Sequence, residues 1–493
     1  MKVFVYNPGG DDSGGRCQTS QWRDLFSIRN RPKKPLTKFE MMAFGCGDFA
    51  SNLFWMTIIY FGMYFYTDAF GISAIAAGAI FGGARIWDAI NDPIMGLISD
   101  RTHTSMGKFR PYLLWMAVPF AIVGILMFYT PKLNMADKET YAWITYILMG
   151  MVYTAINLPY SSLMGVVSPN PQLRDKFASY RFIGAYSGGL IVNLTTLKLV
   201  KILGGGDEAK GFLFTVMIFA VLAALLFLFT FLTSAERVAP PKNQQTNILR
   251  DLTDVITSMP WIIVGIMGMF NLGATSVRNG SIMYFFKYAV AGDYSLFGVS
   301  MGLETIVTVF MTAGAIANIA GMPFAPWIVK KMGKKGAYIF SMGTSGLLTA
   351  AYYVLPTDAI HTMFVLQVLI NFFMALTAPI VFAMYTDIAD FGEWKNGRRS
   401  TGLVMSAASF AQKLGWAGGG ILGGVVLSWH GYVANKPQDE YAIEGILRML
   451  SVYPAILAAL AIITMLFYPI TDEKLKRITA DLELRTSKSR DGA

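Results

Sequence analysis

Arg85, Asp88 and Asp92 are the residues of this chain best placed to do chemistry. They lie in Ala84-Arg-Ile-Trp-Asp-Ala-Ile-Asn-Asp-Pro-Ile-Met-Gly96, a stretch otherwise apolar enough for a lipid bilayer. A charged residue at the middle of a membrane helix costs roughly 2.5 to 3.5 kcal/mol on insertion scales, so it faces a protein interior or an aqueous cavity. The spacing i, i+3, i+7 puts all three charges on one helical face. Two carboxylates one turn apart, preceded by an arginine, can bind a monovalent cation or a proton from within the membrane. The competing reading is a buried ion pair in which Arg85 neutralises one acid, but one arginine does not satisfy two. Lys413 is a further isolated charge, following Ser406-Ala-Ala-Ser-Phe-Ala-Gln412 and flanked by Gly415 and Gly418-Gly-Gly420. Its ammonium must find a partner or snorkel to an interface.

The elements that position these charges are membrane helices. The 493-residue chain is 54% hydrophobic and 15% charged, with a mean hydropathy of +0.46, where soluble domains carry roughly 25% charged residues. Apolar runs able to span a hydrocarbon core of about 30 Å recur throughout, and about twelve are predicted. They start near Phe39, Ser73, Tyr112, Tyr141, Phe177, Gly211, Met259, Leu296, Tyr338, Thr362, Leu403 and Ile446. Basic residues fall in alternate connections. Arg101, Lys108 and Arg110 follow the second run, Arg174 and Lys176 the fourth, and Arg237, Lys242 and Arg250 the sixth. Lys330, Lys331, Lys334 and Lys335 follow the eighth, and Lys395, Arg398 and Arg399 the tenth. The positive-inside rule makes these loops and both termini cytoplasmic, in a plasma (inner) membrane. The net charge of +10 therefore reports topology. A nucleic-acid surface would not alternate with the spans, and no nucleic-acid partner is expected.

Residues 1–35 are polar and lack the apolar core of a signal peptide, so they read as a cytoplasmic tail. Residues 471–493 form a second tail in which Leu475, Ile478 and Leu482 are spaced for a short amphipathic or solvated helix. Ala235-Glu-Arg-Val-Ala-Pro-Pro-Lys-Asn-Gln-Gln-Thr246 breaks helix at Pro240 and Pro241 and divides the spans six and six. The expected organisation is an N-terminal bundle at 36–234, a cytoplasmic linker at 235–257 and a C-terminal bundle at 258–470. Asn91-Asp-Pro-Ile-Met-Gly96 aligns weakly with Gly321-Met-Pro-Phe-Ala-Pro326, pairing Pro93 with Pro323, and the second copy has no equivalent of Asp88 or Asp92. Two six-helix bundles with a ligand near the midplane of their interface are the architecture of a secondary transporter. Cys17 and Cys46 fall in different environments, and His103, His361 and His430 lie in or near loops. Neither a disulfide nor a metal cluster is expected, nor any cofactor.

Several motifs in order resemble the glycoside-pentoside-hexuronide:cation symporters, the melibiose-permease-like branch of the major facilitator superfamily. They are Gly47-Asp-Phe-Ala-Ser-Asn52, Tyr66-Thr-Asp68, Arg85 through Gly96, Gly107-Lys-Phe-Arg-Pro111, Asn157-Leu-Pro-Tyr-Ser-Ser162, Asp387-Ile-Ala-Asp-Phe-Gly-Glu393 and Gly397-Arg-Arg399. Each is weak alone; together they cover nearly all of the membrane part. The resemblance implies an all-α major facilitator fold and, in place of an enzyme, a monomeric symporter that carries a glycoside, pentoside or small oligosaccharide inward with Na⁺ or H⁺.

It also implies roles. Asp88 and Asp92 would ligate the coupling ion with a hydroxyl from Thr154, since oxygen donors suit Na⁺ and a buried carboxylate suits a proton. Asp48 would accept from sugar hydroxyls, as a carboxylate can from two adjacent ones, with partnership to a buried base as the competing role. Arg181 would lie near the sugar, or else be a helix-end charge. Lys413 would face the first-bundle acids and pair with one when the ion is absent, linking ion binding to movement of the bundles. Arg85, Asp100 and Asp390 are further coupling or gating candidates, the last two through inner-side acid–base pairs between bundles. This chain departs from the melibiose-type pattern in having Asn157 in place of an acid and Ser161 in place of a tryptophan. Asn157 then contributes hydrogen bonds without charge, and Tyr153 and Trp416 are the candidate stacking rings. A major facilitator transporter of a lipid or amphipathic solute, or a membrane sugar sensor without transport, are the alternatives.

Overall fold

The helix starts follow local hydrogen-bonding chemistry. Thr37, Ser73, Asn134 and Asp207 each accept from the backbone N–H three residues on, satisfying a donor that the first helical turn leaves open. The computed structural model describes residues 36–168, 171–237, 253–290, 294–296, 298–397 and 401–491. The first tail with Cys17, and Pro240, Pro241, Lys242, Arg250, Arg398 and Arg399, lie outside them.

The first half holds α1 (Lys38–Thr57), which continues through π-turns at Ile58–Gly62 and Phe65–Ala69, then α2 (Ala74–Arg101), α3 (Arg110–Trp115), α4 (Ala117–Phe128), α5 (Met135–Val166), α6 (Pro171–Gly204) and α7 (Glu208–Thr233). The second half holds α8 (Met259–Tyr284) with a π-turn at Phe285–Ala289, a small hairpin of β1 (Tyr294–Leu296) and β2 (Val299–Met301), then α9 (Leu303–Gly321), α10 (Ala325–Ala351), α11 (Ile360–Asn396), α12 (Thr401–Trp429), α13 (Glu440–Leu450), α14 (Val452–Leu466) and α15 (Asp472–Asp491).

Seven segments are long and apolar enough to cross a membrane by length and composition, among them α5, α7, α11 and the run Leu303–Val354. That run breaks into two helices at Gly333, whose φ of 69° suits a residue without a Cβ. With the break, and with α1, α2, α3–α4 and α12, whose charges, glycines or interruptions keep them out of that set, the chain supplies the twelve segments expected from its apolar runs. Asp387 to Glu393 lie in helix. They belong to the end of α11, which runs on to Asn396 because nothing after Pro379 breaks it before Gly397 adopts a left-handed cap.

Packing separates the halves. α1 lies against α6 and α7, α2 against α5, and α4 against α5 and α7; α8 lies against α12 and α14, and α11 against α9 and α10. The halves meet chiefly where α2 packs on α12 and α6 on α9. Small residues make the closest of these crossings, as expected where lipid supplies no hydrophobic drive between helices. A Cβ on Gly184 of α6 would lie 2.0 Å from the Gly45 carbonyl oxygen of α1, and one on Gly424 of α12 would lie 2.4 Å from the Ala74 carbonyl oxygen of α2. α15 packs on the end of α11, burying Ile478 and receiving a bond from the Trp394 indole to Asp481 at 3.0 Å.

Candidate functional site

Four helix faces converge between the halves: Asp48, Ser51 and Trp55 on α1; Arg85, Asp88 and Asp92 on α2; Tyr153, Asn157 and Tyr160 on α5; Lys413 and Trp416 on α12. Each set repeats at three or four residues, the period that keeps side chains on one face. A narrow cavity between the halves is lined by residues that include Trp55, Phe81, Arg85, Tyr146, Ser276 and Trp416.

On α2 the two acids have separate partners. Arg85 donates through Nη1 to Asp88 Oδ2 at 2.6 Å and through Nη2 to the Tyr146 hydroxyl at 3.2 Å, and its guanidinium lies 5.1 Å over the Trp55 ring. Asp88 is 4% exposed, and the Arg85 guanidinium is the charged partner that a buried carboxylate calls for. Asp92 is shared: Thr154 donates to Oδ1 at 2.8 Å, and Lys413 of the other half donates to Oδ2. The Asp92 and Lys413 side chains keep about a quarter of their surface exposed, 28% and 23%, so water and ions reach this pair. Asp92 and Thr154 therefore present the oxygen donors expected of a site for a hard monovalent cation, with the Lys413 ammonium where the ion's charge would sit.

The second cluster is built on Asp48. Arg181 of α6 holds it in a fork, Nε to Oδ2 at 2.6 Å and Nη2 to Oδ1 at 3.1 Å, and the Tyr160 hydroxyl adds a third bond to Oδ2 at 2.8 Å. Arg181 Nη2 also reaches Ser161 Oγ at 3.3 Å, and its guanidinium lies 4.7 Å over the Tyr160 ring. Asn157 accepts from Ser51 Oγ at 2.6 Å and donates to the Tyr153 carbonyl at 3.1 Å. Tyr153 stacks obliquely on Trp55 with centroids 5.6 Å apart, and Trp416 meets Trp55 edge-on at 6.5 Å. A carboxylate, a guanidinium, an amide and aromatic faces are groups that bind a polyhydroxylated ring, though of these residues only Trp55 and Trp416 line the cavity.

The structure thus brings together Asp48, Arg85, Asp88, Asp92, Tyr153, Thr154, Asn157, Arg181, Lys413 and Trp416. Arg181 is no helix-end charge, since its partner is Asp48. Asp100 falls where side chains lie outside what is described. Asp390 stands apart on the last turns of α11, beside Asp387, whose carboxylate is gripped by Lys334 of α10 at 2.5 and 2.6 Å. That pair joins two helices of the same half.

Tyr146 and Ser51 are site residues to which the sequence assigned no role, and Tyr160 stands out in it only as one aromatic ring among several, because a hydroxyl carries no charge to mark it inside a membrane. The larger omission is Asp68, visible in the Tyr66-Thr-Asp68 motif but given no role. It is 7% exposed and stitches the halves together away from the central site. Its Oδ2 accepts from Tyr432 at 2.6 Å and Thr67 at 2.7 Å, and its Oδ1 from Lys287 at 3.2 Å and from Tyr288. Its carbonyl accepts from Asn435 at 2.7 Å. Lys287 also donates to Tyr64 at 2.7 Å, which donates to Glu208 at 2.5 Å.

Comparison with known proteins is consistent along the chain. Residues 43–472 match the model of the family described as MFS/sugar transport protein. The inner membrane symporter YicJ of Escherichia coli (strain K12) is 36% identical over 446 residues, 90% of this chain and 94% of that one. The isoprimeverose transporter of Lactiplantibacillus pentosus is 32% identical, covering 90% and 91%. The crystal structure of the nucleoside transporter NupG superposes with a TM-score of 0.63 at 14% identity, over 87% of this chain and all of that one, a likeness of fold alone.

Proposed function

Because the chain belongs to the MFS/sugar transport protein family and is a multi-pass membrane transporter, not an enzyme, we propose that it imports a glycoside, pentoside or small oligosaccharide by symport with Na⁺ or H⁺. The observation that carries this reading is Asp92, held by Thr154 from its own half and by Lys413 from the other, beside the Asp48–Arg181 pair. An ion arriving at Asp92 and Thr154 replaces the charge of Lys413. The freed ammonium no longer ties the halves together, so ion binding changes the relative energy of the two arrangements, which is what coupling requires. Asp48, Arg181 and Asn157 hold sugar hydroxyls, and Trp55, Tyr153 and Trp416 cover its apolar faces. Arg85 pairs with Asp88 and fixes it behind the ion site.

Alternating access in this reading is a rocking of residues 36–234 against 258–470, with both termini cytoplasmic. The Asp68 network is the outer latch, closed in this arrangement, and it opens when the halves part on the outer side.

The test is uptake into energised vesicles of a glycoside panel that includes isoprimeverose, under imposed Na⁺ or pH gradients, for the parent protein and Asp92→Asn. Gradient-driven accumulation by the parent and its loss in the variant are expected. Accumulation that survives in Asp92→Asn would overturn the role given to that carboxylate.

A further inference from the structure

The two oxygens of Asp48 are not equivalent. Oδ2 takes two donors, Arg181 Nε at 2.6 Å and the Tyr160 hydroxyl at 2.8 Å, while Oδ1 takes only the longer bond from Arg181 Nη2 at 3.1 Å. A carboxylate oxygen has two lone-pair sites, so Oδ2 is filled and Oδ1 keeps one open. The asymmetry is made by Tyr160. Its hydroxyl proton has two acceptors in reach, Asp48 Oδ2 and the Phe44 carbonyl at 2.6 Å, and the charged acceptor makes the stronger bond.

Tyr160 is also locked in place. The residue is fully buried, its ring stacks obliquely on Phe44 at 4.8 Å, and it lies where α1 has Gly47. A Cβ at Gly47 would come within 2.7 Å of two ring carbons. The guanidinium of Arg181 closes the remaining face at 4.7 Å. A ring wedged in this way keeps its hydroxyl at Asp48 whether or not the cavity holds a substrate.

We propose that Tyr160 is a specificity-determining residue: by capping Oδ2 it turns Asp48 from a reader of two adjacent sugar hydroxyls into a reader of one, through Oδ1. The proposal rests on the reading of Asp48 as a sugar contact. With Oδ2 capped, a vicinal diol cannot bridge the carboxylate. The neighbouring hydroxyl must find another partner, and Arg181 Nη1 is one group with capacity, its contact being a soft one to Met164 Sδ at 3.9 Å.

The experiment measures initial uptake at subsaturating concentration, which reports Vmax/KM, for the best-transported glycoside of the panel and its monodeoxy analogues. Parent protein, Tyr160→Phe and Asp48→Asn are compared at matched membrane abundance. Tyr160→Phe keeps the ring and its packing against Gly47 and removes only the cap. In the parent, removing one particular hydroxyl weakens uptake about tenfold while removing its vicinal neighbour has less than a threefold effect on account of Asp48, a lost charge-assisted hydrogen bond being of that order. In Tyr160→Phe both deoxy analogues lose about tenfold, because the freed Oδ2 now takes the second hydroxyl. The same deoxy profile in parent and Tyr160→Phe would refute the cap, as would a uniform fall across all analogues, which is the mark of a structural role. Asp48→Asn separates the levels. If it keeps the parent profile, the sugar role of Asp48 itself fails; if it abolishes the profile while Tyr160→Phe leaves it unchanged, only the cap fails.

Discussion

Lys413 shows how much a single side chain must do in this site. Its ammonium is the only charged partner of Asp92 among the described residues, and it comes from the opposite half of the molecule. If Lys413 and the coupling ion occupy the same electrostatic position, removing the lysine charge relieves the ion of a competitor and also leaves the empty carrier with an uncompensated carboxylate. Lys413→Gln keeps a donor without the charge. It should lower the ion concentration that half-activates sugar counterflow by about tenfold, a difference of about 1.4 kcal/mol. Net accumulation should collapse, because the ion-free carrier has lost the pairing that lets it return. The ion dependence of counterflow and of accumulation, measured on the same vesicles, checks both. An unchanged ion dependence would remove Lys413 from the coupling scheme. Arg85 cannot substitute, since it is committed to Asp88 and Tyr146.

At the scale of helices, the site depends on how closely backbones approach. Asp48 stands three residues after Gly45 on α1 and Arg181 three residues before Gly184 on α6, so the crossing at those glycines sets the distance across which the fork forms. A Cβ at Gly184 would meet the Gly45 carbonyl oxygen at 2.0 Å and the carbonyl carbon at 2.8 Å, contacts that only backbone movement relieves. Gly184→Ala should therefore cost about 1–3 kcal/mol. It should raise the KM for sugar along with the loss of thermal stability in detergent, while Gly165→Ala on α5, where a Cβ meets nothing within 4 Å, should leave both near the parent values. A Gly184→Ala protein with parental melting and KM would show that the crossing has slack. This scale also marks the limit of what the chain reveals unfolded. The charged faces of α1, α2 and α12 are legible in spacing alone, because a membrane makes every charge conspicuous. Which acid meets which base is not. Asp48 and Arg181 are 133 residues apart and Asp92 and Lys413 321 apart, and no local pattern encodes a pairing that glycine crossings create. The helical end of α11 was obscured for a different reason, since acids and bases near a membrane surface look alike in a loop and on a solvated helix.

For the whole molecule the question is what holds one side shut. Asp68 collects donors from Thr67 of its own half and from Lys287, Tyr288 and Tyr432 of the other, and Asn435 binds its carbonyl. Asp68 itself lies in the second of the two π-turns that continue α1, and Lys287 and Tyr288 lie in the π-turn that ends α8; the extra residue in such a turn rotates the side chains that follow it. A carboxylate with that many donors contributes in the closed arrangement only, because parting the halves takes most of them away at once. In the proposed alternating-access scheme it therefore biases the equilibrium between outward-closed and outward-open states and not the affinity of either for sugar. Asp68→Asn removes the charge and leaves the half-buried Lys287 without its acidic partner. The outward-open population should then rise about tenfold, the effect of roughly 1.4 kcal/mol on a two-state equilibrium. The reporter is a cysteine at Ser276, which lines the central cavity, in a background where Cys17 and Cys46, the two native cysteines, are serine. Labelling by a membrane-impermeant thiol reagent added outside should be about tenfold faster in Asp68→Asn, with sugar binding in detergent within twofold of the parent. A parental labelling rate would mean that the helix crossings of α2 with α12 and α6 with α9 hold the outer side closed by packing alone, and that Asp68 only decorates a seal made elsewhere.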